Sequence, residues 1–172
     1  GEHTDYNGGF VFPGAIDKSI SAVVKPNGSG KVRLYASDLA KSCEFETEDN
    51  EGPSETHFRY VYGVVKEMMA AGVDVGGFDA VYGGDVPLGA GLSSSAALES
   101  CFAYAIEEMF GEGKLDRMAL AKIGQATEHK YVGVKCGIMD QFASVFGKAG
   151  HLMRLDCRSM EFEYFPFAPE KH

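Results

Sequence analysis

Several features that mark other classes of protein are missing from this sequence of 172 residues. No apolar run approaches about 18 residues, the length that spans a bilayer, so the sequence predicts no transmembrane segment. Basic residues are few, with 16 Lys and Arg against 25 Asp and Glu and a net charge of -9. This balance argues against nucleic acid or an anionic membrane as a partner, but it leaves room for a local phosphate-binding site.

The cysteine spacing of metal sites and disulfide frameworks is also missing. The sequence has four well-separated cysteines and no Cys-x-x-Cys pair; they are Cys43, Cys101, Cys136 and Cys157. Reduced thiols are typical of the cytoplasm, so we expect a cytoplasmic protein whose cysteines pack in the core. Glu128, His129 and Cys136 are conceivable zinc ligands, but the closely spaced ligand pairs of zinc sites are lacking, and zinc is disfavoured.

What the sequence does contain is typical of one globular domain. Its residues are 45% hydrophobic and 24% charged, a balance that supports a sizeable core. We find no internal repeat and no low-complexity linker. The chain opens without Met on a dense polar cluster over residues 1–9, so both ends are expected to be cuts within a longer protein.

Hydrophobic periodicity predicts an α+β fold with a mixed or antiparallel sheet packed against helices. Strand patterns lie at 10–16, 19–24, 31–37, 43–47, 78–82, 151–156 and 161–167. Helical spacing of apolar residues covers 56–71, 93–110, 115–131 and 138–146. The first four strands are expected to form an antiparallel series, and the helix over 93–110 is expected to be buried because it is apolar nearly all round.

A glycine- and serine-rich loop at residues 87–99 is the most informative segment. Its glycines let the backbone approach an anion, and the helix that follows presents unpaired N–H groups and the positive end of its dipole. The loop predicts a phosphate-binding site formed by Gly89, Ala90, Gly91, Leu92, Ser93, Ser94 and Ser95. An ordinary turn and helix N-cap is the alternative, but it needs fewer glycines and hydroxyls.

Two better-known nucleotide motifs do not fit this loop. No Lys follows Gly91, which disfavours a Walker-type NTPase. Ser94 stands where a dinucleotide-binding fingerprint has its third glycine.

A polar cluster near the start, Glu2, His3, Asp5 and Asn7, predicts a sugar site. Closely spaced carboxylates with no basic neighbour repel each other, so their coexistence suggests donors that arrive with a ligand, and sugar hydroxyls are such donors. The alternative is an Asx-turn at Asp5 or Asn7 that leads into the glycines that follow.

Asp140 lies between apolar side chains at the start of the predicted helix over 138–146. A partly desolvated carboxylate that faces a hydroxyl is a candidate general base for an oxygen nucleophile. The alternative is an acid in the first helical turn that stabilises the helix dipole.

Taken together, the segments 1–7, 87–97 and 137–141 resemble the galactokinases, within the GHMP family of small-molecule kinases. The glycine-serine loop is the mark of the wider family, and the opening Gly-Glu-His-Thr-Asp-Tyr-Asn is similar to the signature of the galactokinases. The resemblance continues through 150–151 and 155–159, so it covers nearly the whole chain.

The resemblance implies transfer of the ATP γ-phosphoryl group to the anomeric hydroxyl of α-D-galactose, with ATP and Mg²⁺ as the cofactors. It implies that the sugar is bound by Glu2, His3 and Asp5, beside the Gly137 backbone. It implies that Asp140 accepts the proton and that the serine loop cradles the phosphates. It also implies that Ser95 and Glu128 hold the magnesium ion. Without the resemblance, Glu128 is interpreted as a solvated surface acid beside Lys130.

The resemblance further implies that residues 1–172 are the amino-terminal domain of a two-domain kinase, whose partners are a sugar, ATP and its own carboxy-terminal domain. By itself this piece is expected to turn over little or no ATP. Two other functions stay open: a non-catalytic sensor of galactose and ATP, and a kinase for N-acetylgalactosamine or arabinose, since the volume of the sugar pocket is not readable from sequence.

Overall fold

A four-stranded sheet and its helices enclose the larger of two hydrophobic cores. The structure is a computed structural model, and it describes residues 3–87 and 91–167. The sheet contains β2 (Ile20–Pro26), β3 (Lys31–Ala36), β4 (Lys41–Glu46) and β5 (Phe78–Gly84), in the order β2-β5-β3-β4. Its inner face buries alternate residues of β3 and β5, as the period of two predicts.

Of the predicted antiparallel series of the first four strands, only the pairing of β3 with β4 is correct, since the strand that begins at Phe10 belongs to a second sheet. β3 and β4 form an antiparallel hairpin, but β5 lies between β2 and β3, antiparallel to the first and parallel to the second. Alternation of apolar residues shows that a segment is a strand, but it does not show which strand will pair with it. The α+β class with a mixed sheet is confirmed.

The second sheet has three antiparallel strands in the order β1-β6-β7: β1 (Phe10–Val11), β6 (His151–Asp156) and β7 (Phe162–Pro166). The strand predicted over 10–16 therefore ends after two residues. Pro13 explains this early end, because it has no N–H to continue the ladder, although its carbonyl still accepts from Met153 N at 2.8 Å.

Four α-helices pack on the two sheets: α1 (Thr56–Ala70), α2 (Ser94–Ile106), α3 (Arg117–Thr127) and α4 (Met139–Phe146). The Asp116 side chain caps α3 by accepting from Ala119 N at 2.8 Å. Helices α2 and α3 each continue into a π-helical segment, Glu107–Gly111 and Glu128–Val132. As predicted, α2 is largely buried, and Phe102 at its middle is fully enclosed.

Helix α4 packs on the three-stranded sheet and forms the second core. Phe142 is fully buried there, stacked on Phe146 and edge-on to Phe162. This packing fixes the start of α4, where Asp140 lies.

In the described part of the chain, no helix has the length and hydropathy that crossing a bilayer requires.

Candidate active site

The polar opening segment contacts the start of α4. The Asp5 carboxylate accepts from Met139 N at 3.4 Å, although the two residues are 134 positions apart. A Cβ on Gly137 would overlap this carboxylate, so the absence of a side chain at Gly137 is what permits the contact. Two of the three segments singled out from the sequence therefore meet in space.

His3 lies beside Asp5 on this segment. Its backbone has the left-handed φ of 57°, and its Nδ1 shares a hydrogen bond of 2.7 Å with the Tyr6 hydroxyl. The Asn7 amide donates back to the His3 carbonyl at 3.0 Å, which is not the forward bond of an Asx-turn. The imidazole is exposed and thus available to a ligand. Glu2 lies outside the described residues.

The serine loop enters α2 through a strained turn. Gly91 has φ 71° and Ser93 has φ 55°, a left-handed conformation that costs a non-glycine residue about 1–2 kcal/mol. Ser93 occupies the N-cap position, yet its side chain makes no cap hydrogen bond. The interpretation of Ser93 as an ordinary N-cap is therefore not supported. Ser94 and Ser95 form the first turn of α2, while Gly89 and Ala90 lie outside the described residues.

The serine loop and Asp140 line the same cavity, which has a volume of about 510 Å³. Gly91, Leu92 and Ser93 form one part of its wall, and Met139 with the exposed Asp140 forms another. Residues 12–16, which follow the opening segment, supply a third part. The cavity thus brings an exposed carboxylate and a helix N-terminus to one space, the arrangement that a phosphoryl transfer to a hydroxyl needs.

Lys18 was not singled out in the sequence, and it also lines this cavity. It is the one cationic side chain among the wall residues of the described chain. Its Nζ lies 3.0 Å from Asp85 Oδ2, and this pairing raises the pKa of the lysine. The only feature of the sequence that could have indicated a role for Lys18 was its position between the opening segment and the second predicted strand.

Ser95 and Glu128, the predicted metal ligands, do not line the cavity wall. Glu128 is 6% exposed, so its interpretation as a solvated surface acid is wrong. Its neighbour Lys130 points elsewhere and pairs with Glu67 at 2.8 Å. Among the residues that the structure describes, no group of three or more His, Cys, Asp and Glu is arranged to hold a metal, and this includes the disfavoured zinc set.

Glu128 belongs to a buried polar cluster behind the cavity, which we call the acid–amide cluster: Glu99, Glu128 and Gln141. The Gln141 Nε2 donates to Glu99 Oε2 at 3.1 Å and to Glu128 Oε1 at 3.4 Å. Glu99 is fully buried, and this burial raises its pKa to about 9 despite the opposing hydrogen bond from Gln141. Burial, followed by the charge of Glu128, raises the pKa of the adjacent Cys136 to about 12.

Sequence reasoning missed Glu99 and Gln141. The one available signal for Glu99 was an acid within a helix that is apolar nearly all round, since such residues are rarely fully buried unless they have a partner.

Comparison with known proteins then decides the family. Residues 59–148 match the family described as GHMP kinases N terminal domain. This chain belongs to that family. The expected GHMP membership is thereby confirmed, and residues 1–26 of this GHMP-kinase chain also match the galactokinase galactose-binding signature.

Relatives of this GHMP-kinase chain include curated galactokinases from two bacteria. The galactokinase of Clostridium tetani (strain Massachusetts / E88) is 41% identical over 167 residues, which cover 96% of this chain and 43% of the relative. That of Roseiflexus sp. (strain RS-1) is 42% identical over 171 residues, which cover 98% of this chain and 43% of the relative. The chain therefore spans less than half the length of the curated relatives it matches.

Solved structures agree with the family. The crystal structure of Lactococcus lactis galactokinase complexed with galactose superimposes with a TM-score of 0.87 at 35% identity, covering 96% of this chain and 44% of that one. The Methanococcus jannaschii mevalonate kinase gives a TM-score of 0.78 at 22% identity, covering 96% of this chain and 51% of that one. The second likeness shows the shared GHMP-kinase fold alone.

Proposed function

We propose that this chain supplies the sugar- and phosphate-binding part of a galactokinase, which transfers the γ-phosphoryl group of ATP to the anomeric hydroxyl of α-D-galactose. The observation that carries the proposal is the shared cavity of Asp140 and the serine loop. Asp5, which contacts Met139 N at the start of α4, adds a sugar-binding group close to Asp140 on the same helix. The names of the relatives and the galactose-binding signature at residues 1–26 support galactose as the sugar.

In this proposal the sugar binds where the opening segment meets α4. Glu2, His3 and Asp5 accept or donate hydrogen bonds to sugar hydroxyls beside the Gly137 backbone. Asp140 takes the proton from the anomeric hydroxyl as the phosphoryl group arrives. The carboxylate suits this role because it is exposed to the cavity and free of a cation in the described structure.

The phosphates of ATP bind at the serine loop, through Gly89, Ala90, Gly91, Leu92, Ser93, Ser94 and Ser95. The first turn of α2 offers backbone N–H groups and the positive end of the helix dipole to these anions. The ammonium group of Lys18, paired with Asp85, is a further hydrogen-bond donor at the same cavity. Such fixed donors stabilise the charge of the moving phosphoryl group without reorganisation.

Magnesium fits the oxygen donors near this loop. A serine hydroxyl and one carboxylate, completed by phosphate oxygens and water, are the set that Mg²⁺ usually accepts in kinases. Ser95 and Glu128 would supply this set at the edge of the serine loop, although neither lines the cavity wall in this structure. When bound, the ion neutralises phosphate charge and orients the γ-phosphoryl group.

We further infer that the chain acts as the amino-terminal domain, residues 1–172, of a longer two-domain enzyme that works in the cytoplasm. The 43% coverage of the curated galactokinases supports the first part, and the four unpaired cysteines support the second. The carboxy-terminal domain is then the main macromolecular partner, and the 172 residues alone are expected to turn over little ATP.

A substrate panel tests the proposed function. The full-length protein is offered galactose, N-acetylgalactosamine and arabinose with Mg²⁺ and ATP, and ADP release is followed by a coupled assay. Galactose is expected to give a kcat/KM at least about tenfold above the other two sugars, the discrimination that one pocket contact supplies. A preference for either other sugar would correct the substrate, and sugar-dependent binding to a partner protein with no ADP release would favour a sensor.

A further inference from the structure

The Gln141 side chain joins three separate elements in the interior. Gln141 is 1% exposed, and its Nε2 donates to Glu99 Oε2 at 3.1 Å and to Glu128 Oε1 at 3.4 Å, with the Cys136 sulfur as a weaker third acceptor at 3.9 Å. Glu99 belongs to α2, Glu128 opens the π-helical segment after α3, and Gln141 belongs to α4. One amide therefore ties α2, the end of α3 and α4 together.

Each of these elements carries one group of the proposed phosphoryl-transfer site. Asp140 directly precedes Gln141, Ser95 lies one helical turn before Glu99, and Glu128 is itself an acceptor of the amide. The distances between the base and the two oxygen donors for magnesium thus depend on the acid–amide cluster. Phosphoryl transfer gains mainly from such positioning.

The packing around the amide leaves it little freedom. A Cβ on Gly124 of α3 would lie 2.8 Å from Gln141 Cγ and 3.0 Å from Glu99 Oε2, so α3 passes directly against both side chains. Glu99 Oε1 and Gln141 Oε1 are buried without a hydrogen-bond partner among the described residues. Unpartnered buried oxygens cost free energy, so apolar residues of the same size would give a more stable core at this place.

We propose that Gln141 is a positioning residue, whose buried amide holds the Glu128 carboxylate at a fixed distance from Asp140 and from the first turn of α2. The proposal rests on the proposed function and adds a residue to its machinery. Gln141 does not touch the substrates; it acts through Glu128. Groups that orient a metal-binding carboxylate typically change metal affinity or activity by about 10- to 100-fold when they are removed.

The test replaces Gln141 by Met in the full-length protein, because Met has a similar shape but donates no hydrogen bond. Mn²⁺ is used as the probe for the metal site, with a non-hydrolysable ATP analogue bound, and free Mn²⁺ is measured by EPR. We expect Mn²⁺ binding about tenfold weaker and kcat at least about tenfold lower, with KM for galactose within about threefold of the wild type. Gln141→Asn, with an amide one methylene shorter, is expected to change both quantities in the same direction.

Glu107→Met is the matched control. Glu107 is also a buried polar residue, 9% exposed, in the π-helical segment that follows α2, and its Oε1 accepts from Leu115 N at 3.2 Å. This variant is expected to lower thermal stability but to leave Mn²⁺ affinity and kcat within about twofold of the wild type.

The outcomes separate the two proposals. Folded Gln141→Met with wild-type Mn²⁺ affinity and kcat would overturn the positioning role and leave the galactokinase function standing. If both Gln141 variants failed to fold while Glu107→Met folded, the amide would support the fold rather than the site, and the inference would be wrong. A wild-type protein that transfers phosphate to none of the sugars would instead overturn the proposed function.

Discussion

Asp140→Asn is expected to lower kcat by about two orders of magnitude or more, the usual loss when a general base is removed. Asn has the same shape as Asp, but its amide cannot take a proton from the attacking hydroxyl. Because Asp140 is exposed and lines the cavity, the fold should be preserved. The measurement is galactose-dependent ADP release by the full-length protein, together with its thermal unfolding temperature.

The control for this variant is Asp74→Asn, at an exposed aspartate in the segment between α1 and β5. It removes the same charge from the chain and should leave kcat unchanged. A rate for Asp140→Asn close to that of the wild type would remove Asp140 from its role as the base, whatever the control shows.

Gly137→Ala is expected to raise KM for the sugar by about 10- to 100-fold, the effect of losing one hydrogen bond to a charged group. The new Cβ would overlap the Asp5 carboxylate, so Asp5 must leave its position at the start of α4. The serine loop is not touched, and KM for ATP should stay within about twofold. Steady-state kinetics with galactose and ATP varied separately measures both constants.

Gly30→Ala serves as the comparison for this substitution. A Cβ on Gly30 would have Thr47 Oγ1 at 4.0 Å as its nearest neighbour, which is ordinary contact. This variant should match the wild type in both KM values. An unchanged KM for galactose in Gly137→Ala would show that the position of Asp5 does not matter for sugar binding.

Local patterns were sufficient to predict most elements of the fold. Turn residues and periodicity gave α1, α4 and both strands of the final hairpin within a few residues of their observed bounds. They did not give the place of β5, since its partners lie about 40 to 60 residues away along the chain and any half-apolar strand has a similar pattern. They also did not give the early end of β1, where a single proline stops the ladder.

The motifs of the candidate site could be predicted from the sequence, but the buried polar contacts behind them could not. The serine loop has more glycines and hydroxyls than a turn and a helix cap require, and Asp140 stood out as an acid among apolar residues. The burial of Glu128 could not be predicted from the sequence, because Lys130 two positions later suggested a solvated surface. In the π-helical segment Glu128 contacts Gln141, whereas Lys130 pairs with Glu67 on the first helix. Contacts of Glu128 and Glu99 with Gln141 join residues 13 and 42 positions apart, which a local pattern cannot reveal.

The central claim is that the opening segment, the serine loop and the start of α4 form one site, with Asp140 between sugar and phosphate. A crystal structure of the full-length protein with galactose and a non-hydrolysable ATP analogue tests it most directly. We predict the anomeric hydroxyl at a hydrogen-bond distance of about 2.6–3.2 Å from the Asp140 carboxylate, with the γ-phosphate in line at the first turn of α2. A sugar bound away from Asp5 and Asp140, or phosphates bound away from the serine loop, would contradict the account.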